Sequence, residues 1–226
     1  MHPGALRSEQ AYAELKQRLL GGELRLFQPG TEPELAALLD VSRTPVREAL
    51  LRLHAEGLVT RQSDGGYIPV VPDVGLIRAL YEVRAGLELQ AIRRGTHDLA
   101  AVQQLVDEWK ALADDEPDAE PSFVLLDESF HQGLAEAAGN AVLADLLRQV
   151  NERIRPVRML DFLSADRVRS TIEEHVRLAA AVVAGVPADA EQIFIAHLDV
   201  SQAVVEQRVA AAITRMATAP DLEDES

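Results

Sequence analysis

The sequence predicts a mostly α protein, with an N-terminal winged helix-turn-helix followed by an antiparallel all-α bundle. Three observations predict it. The first 70 residues read helix, helix, helix and then a two-stranded ribbon, the element order of a winged helix. From Asp73 onward the apolar pattern has helical period throughout, and the breaks between segments are short, which favours antiparallel neighbours. Charge is divided unevenly: residues 1–70 hold eight Lys/Arg and nine Asp/Glu, whereas 71–226 hold 14 and 28.

Each element has a local reason. Residues 6–20 are amphipathic, with Leu6, Ala13, Leu15, Leu19 and Leu20 among the apolar members, and Gly21-Gly22 stops the helix. Residues 32–39 form a short second helix, followed by a turn at Asp40-Val41. Ser42 reads as an N-cap, and Pro45 falls in the next first turn, where its missing N–H costs little. That third helix runs to about Ala55, carries Val46, Leu50 and Leu53 on one face, and ends at Gly57. Residues 58–61 and 67–71 read as strands joined by the turn Ser63-Asp64-Gly65-Gly66. Pro69 and Pro72 punctuate the exit and place a domain boundary there, giving domains at 1–71 and 72–216 and an acidic tail at 217–226. In the second domain, helices are expected at 73–94, 97–113, 119–138, 140–161, 165–184 and 188–216. Thr96 and Asn140 read as N-caps, and Pro156 is expected to kink or split the fourth of these helices.

Composition excludes several classes. With 47% hydrophobic residues the chain can build packed cores. It has no cysteine, so a disulfide frame and thiolate metal sites are excluded. No run approaches ~20 apolar residues, so no membrane span is expected. The first ten residues lack a secretory pattern, which makes a cytoplasmic protein the default. The net charge of −15 argues against nucleic acid if taken alone, but residues 43–61 carry four Arg and two Glu. A near-neutral head on an acidic body is consistent with a small DNA-reading surface.

That surface is the start of the third helix. A recognition helix presents short polar and Arg side chains from its first turns to the major groove. Ser42, Arg43, Thr44 and Arg47 sit there, with Arg43 and Arg47 four apart on one face. Arg grips guanine O6 and N7 in a fork, and Ser and Thr suit phosphates or base edges. Two Arg at this spacing are more often a solvated face, but here the ribbon with its Gly-Gly tip follows at the right distance.

The run Val-Ser-Arg-Thr-Pro-Val-Arg-Glu-Ala-Leu at 41–50 closely resembles the hallmark of the GntR family of bacterial regulators, and the likeness covers about residues 8–71. By that resemblance Arg43, Thr44 and Arg47 touch a double-stranded DNA operator, Ser42 assists, and the Gly65-Gly66 wing tip enters the minor groove. Two departures stand out. Thr31-Glu32 follow Pro29-Gly30 directly, where family members usually have a longer approach. Pro33 stands where many carry a basic residue, which removes one candidate DNA contact.

A second constellation lies in the bundle. Asp127 and His131 are four apart on one helix, and His175 and His197 lie on two others. Three imidazoles and one carboxylate suit a divalent Zn, Ni, Mn or Fe ion. Taken singly, each is more readily a core or surface residue than a ligand. Residues 73–214 resemble the FCD ligand-binding domain of the FadR-type branch of that family, whose metal-binding members share an Asp and a His separated by three residues, then two later His. All four positions are present here. The resemblance implies a bound divalent metal beneath a cavity, with a small carboxylate effector completing its coordination. Arg84 matches a common Arg of the first bundle helix and suits that carboxylate. An exposed ion pair with Glu88 is the equal alternative for it, and Arg153 and Arg155 are weaker candidates of the same kind. The expected function is a homodimeric regulator, usually a repressor, responding to a small carboxylate metabolite. The rivals are a metal-dependent hydrolase-like enzyme and a regulator whose metal is purely structural.

Overall fold

The computed structural model describes residues 3–20, 30–70 and 72–218, with side chains for 7–20, 30–70 and 72–211. The stop at Gly21-Gly22, the strand end at Val71 and the tail beyond 218 lie outside the described residues. The chain divides into two compact units, Met1–Val71 and Pro72–Ser226.

The first unit contains α1 (Pro3–Leu20), α2 (Glu32–Leu38), α3 (Arg43–Ala55), β1 (Val59–Arg61) and β2 (Tyr67–Pro69). Its core joins Ala11, Tyr12, Leu15 and Leu19 of α1 to Val46, Leu50 and Leu53 of α3. Ala13, expected among the apolar members of α1, falls on the opposite face and is exposed. Thr31 caps α2 in a reciprocal box: its hydroxyl accepts from the Glu34 N–H at 3.4 Å, and the Glu34 carboxylate accepts from the Thr31 N–H at 2.9 Å. Ser42 occupies the N-cap position of α3 in extended conformation, but its side chain makes no capping bond, so that hydroxyl is left exposed. β1 and β2 pair antiparallel, Val59 opposite Pro69 and Arg61 opposite Tyr67. The turn between them relies on Gly65 at φ 88°, a conformation that disfavours a Cβ. Gly30 pairs with Tyr67 on the other side of β2.

The second unit is built of α4 (Val74–Arg93), α5 (Leu99–Asp114), α6 (Phe123–Ala137), α7 (Ala141–Arg158), α8 (Ala165–Val183) and α9 (Pro187–Thr218). α4 packs on α7 and α9, α5 on α6 and α8, and α8 on α9. Tyr81, Trp109, Phe130, Phe162 and Phe194 fill the centre. Three details differ from the sequence expectation. Asp98, not Thr96, caps α5, accepting from Ala100 and Ala101 at 3.0 and 3.2 Å, while Thr96 donates to the Ala138 carbonyl. α6 begins at Phe123 rather than 119, because Pro121 disfavours helical geometry at Glu120. Pro156 does not split α7; it lies near the helix end, and Met159 N–H still reaches the Arg155 carbonyl at 3.0 Å.

Candidate metal centre and nucleic-acid interface

Three helices of the bundle converge on a buried polar centre. α6 supplies Asp127 and His131 one turn apart, α8 supplies His175 and α9 supplies His197. All four are buried, and one donor atom from each lies within 4.8 Å of the others. Asp127 Oδ1 is 3.6 Å from His175 Nε2 and 4.0 Å from His197 Nε2, and Oδ2 is 3.8 Å from His131 Nε2. Ligands held at about 2.1 Å around one transition ion stand roughly 3–4 Å apart, so the set needs only a small inward adjustment.

The chemistry of the donors fits such an ion. Asp127 Oδ1 and the Nε2 atoms of His131, His175 and His197 are buried and, among the described residues, have no hydrogen-bond partner. A buried polar atom left in this state costs about 1–3 kcal/mol. Two of the rings are oriented so that Nε2 carries the free lone pair. His131 Nδ1–H donates to Glu88, which also accepts from Arg84 Nε at 2.6 Å. His197 Nδ1–H donates to Glu174 at 2.7 Å. Carboxylate partners of this kind fix the tautomer of ligating histidines. His175 is held differently: its ring stacks on Phe130 at 3.9 Å and meets the edge of Trp109 at 4.3 Å.

Protonation states agree with ligation. Burial pushes His131 below the usual imidazole range. Burial does the same to His175, reinforced by the neighbouring His197 and His131. Burial by itself would raise Asp127, but the charge of Arg158 beside it holds its carboxyl well below the usual range. Burial likewise opposes ionisation of Glu88, and His131 and Arg84 outweigh it, bringing it down to about 2. Metal ligation needs this combination of neutral imidazole and ionised carboxylate.

Beside these lone pairs stand unpartnered donors. Arg158 Nη2–H donates to Asp127 and its Nη1 stands 3.8 Å from Glu128, yet among the described residues its Nε and Nη1 and both Nη atoms of Arg84 are buried without a hydrogen-bond partner. Arg167 holds Asp161 at 3.0 and 3.2 Å. Asp161 also accepts from Ser201 at 2.8 Å, and the Ser201 hydroxyl lies 3.1 Å from that of Tyr81.

The four residues singled out as ligands are thus brought together. Arg84 forms its anticipated pair with Glu88, but fully buried rather than exposed. Arg155 is engaged by Glu128 at 2.9 and 2.6 Å. Among the described residues no hydrogen bond or ion pair joins Arg153 to the centre. Sequence reasoning missed Arg158, Arg167, Glu88 and Glu174 as parts of it. Arg158 had a legible signal, because it continues the buried stripe Leu147, Asn151, Ile154 of α7 at helical spacing.

In the first unit, Arg43, Thr44 and Arg47 are exposed on the opening turns of α3, and Gly65 and Gly66 form the wing turn. Arg47, 62% exposed, is gripped by Glu32 through Nε at 3.1 Å and Nη2 at 3.0 Å. Arg52, by contrast, lies 3.6 Å above the Tyr12 ring and pairs with Glu9 and Glu56, so it serves the α1–α3 packing.

Comparison with known proteins places both units. Residues 7–68 match the family model of bacterial regulatory proteins, gntR family, and residues 79–200 match that of the FCD domain. The Nta operon transcriptional regulator of Aminobacter aminovorans is 32% identical over 198 residues, spanning 85% of this chain and 92% of that protein. Among solved structures, E. coli McbR/YncC superposes with a TM-score of 0.72 at 22% identity, covering 89% of this chain and 98% of that one. The metal-free FCD domain of TM0439 gives 0.51 at 20% identity, covering 63% and 99%. Among the described residues no helix is long and apolar enough to cross a membrane.

Proposed function

The chain belongs to the GntR family of bacterial regulatory proteins, with a winged-helix head and an FCD domain, and from that premise we propose that it is a metabolite-responsive, metal-containing homodimeric repressor. It is a transcriptional regulator and not an enzyme, as its family and relatives are. Two heads would read half-sites about one helical turn apart, using Ser42, Arg43, Thr44 and Arg47, with the Gly65-Gly66 wing in the minor groove. Asp127, His131, His175 and His197 would hold a divalent Zn, Ni, Mn or Fe ion, which when bound offers open coordination positions to a small carboxylate. Arg84 would take that carboxylate on its two free Nη atoms. The effector would act through its differential affinity for two arrangements of the dimer.

The observation that carries this reading is the burial, without a hydrogen-bond partner among the described residues, of Asp127 Oδ1, of Nε2 of His131, His175 and His197, and of both Nη atoms of Arg84. A cation satisfies the first set and a carboxylate the second. The test is elemental analysis of the purified protein, then titration of the reloaded protein with small carboxylates. Trp109, the single tryptophan, packs against His175 and reports on the centre by its fluorescence. Carboxylates should change that fluorescence and alter the affinity for a duplex selected from a random pool. A protein that retains none of these ions, or a duplex affinity indifferent to every carboxylate, sinks the sensor. In the head, Arg47→Ala should weaken selected-duplex binding by ~1–3 kcal/mol, as expected for loss of a bidentate base contact.

The packing of His175 between Phe130 and Trp109 favours a second reading, in which the metal is purely structural. Under it, His175→Ala lowers the melting temperature while the carboxylate response survives. Under the first, the response disappears while the fold remains.

A further inference from the structure

Glu32 is the first residue of α2, and its side chain is only 19% exposed although it lies on the face that carries the DNA-reading candidates. It meets one particular edge of the Arg47 guanidinium. Nε and Nη2 both point to its carboxylate, with contacts of 3.0–3.1 Å. A guanidinium has two forked edges, the side-on edge of Nε and Nη2 and the end-on edge of the two Nη atoms. Glu32 occupies the first. The second has no partner among the described residues, and an edge of that shape matches guanine O6 and N7.

The surroundings make this carboxylate unusual. The Arg47 hydrogen bonds, then the charges of Arg47, Arg61 and Arg43, outweigh slight burial and hold Glu32 below the usual carboxylate range. Among the described residues, the side chains of Arg43 and Arg61 make no hydrogen bond or ion pair. An acidic side chain on a surface meant for phosphates weakens sequence-independent attraction. It must contribute something in return. A flexible Arg with no partner would take the nearest phosphate, which carries no sequence information.

We propose that Glu32 is a positioning residue for sequence discrimination. It holds the side-on edge of Arg47, so that the end-on edge alone reaches DNA and is directed to a base rather than a phosphate. This rests on the reading of α3 as the recognition helix.

The test uses the full-length protein, a duplex selected by the wild type from a random pool, and a random-sequence duplex of equal length. Affinities are measured by fluorescence anisotropy across a salt series for wild type, Glu32→Ala, Glu32→Gln, Arg47→Ala and the Glu32→Ala/Arg47→Ala double variant. In Glu32→Ala the ratio of selected to random affinity should fall about tenfold, and the salt slope on random duplex should steepen by about 0.9, one extra phosphate contact. Glu32→Gln, which keeps the shape and one acceptor oxygen, should fall between and covers the case in which the alanine variant folds poorly. In the Arg47→Ala background the Glu32 substitution should change neither quantity. Unchanged discrimination in both Glu32 variants overturns the proposal. So does a rise in random-duplex binding that persists without Arg47, because the carboxylate would then act only as a charge. A wild type that selects no sequence from the pool instead removes the recognition-helix reading beneath it.

Discussion

In the head, Arg47 stands in water with Glu32 beside it, whereas in the bundle Arg84 and Arg158 are sealed from solvent against Glu88 and Asp127. The chemical pair is the same, and the consequences differ. An exposed pair contributes at most about 1 kcal/mol, so the head can exchange it for DNA contacts at little cost. A buried pair cannot be opened by removing one member, because the other is left charged in a low-dielectric interior. The bundle centre is therefore built to change by being filled, and the head by being repaired with other partners.

The largest effect that could break this contrast is Arg158→Ala. It strips Asp127 of its buried counter-charge and should cost about 3–5 kcal/mol in urea unfolding followed by Trp109 fluorescence. A loss below about 1 kcal/mol would mean that the centre behaves like the surface pair. Next comes the proposed metal. At a hundredfold excess over its dissociation constant, a bound ion should stabilise the bundle by about 2.7 kcal/mol, and His175→Ala should abolish that gain.

Acid should sharpen the comparison further. His131 and His175 resist protonation in the fold, whereas an unfolded imidazole titrates near ~6.5. As pH falls through that value, the unfolded chain takes up protons that the fold excludes. Stability is then full above about 6.5 and declines toward acid, by up to about 1.4 kcal/mol per unit for each histidine. Chelator-treated protein unfolded in urea at about pH 7.5 and about pH 5.5 tests this, and a flat profile contradicts neutral buried imidazoles. The smallest effect concerns the head. Thr31→Ala removes the capping box of α2 and should cost about 1 kcal/mol, seen as faster exchange of the α2 amides.

Much of this was legible before any coordinates. Helical periodicity located the bundle segments, and Gly65 marked the turn between the strands. The spacing of Asp127 and His131 placed both on one face of α6. Boundaries were read less well where two signals competed, as at Thr96 against Asp98 and at the start of α6 behind Pro121.

By itself the sequence determined which segments are helical, which face of each is apolar, and which residue types stand at the start of α3. Only the tertiary structure decided that His175 and His197 meet the α6 pair, that Arg158 reaches Asp127 across 31 positions, and that Arg47 is held by Glu32 across 15. Local preference acts over a turn or two of backbone. Which buried faces then meet is set by packing between elements far apart in the chain, and no single segment encodes that choice.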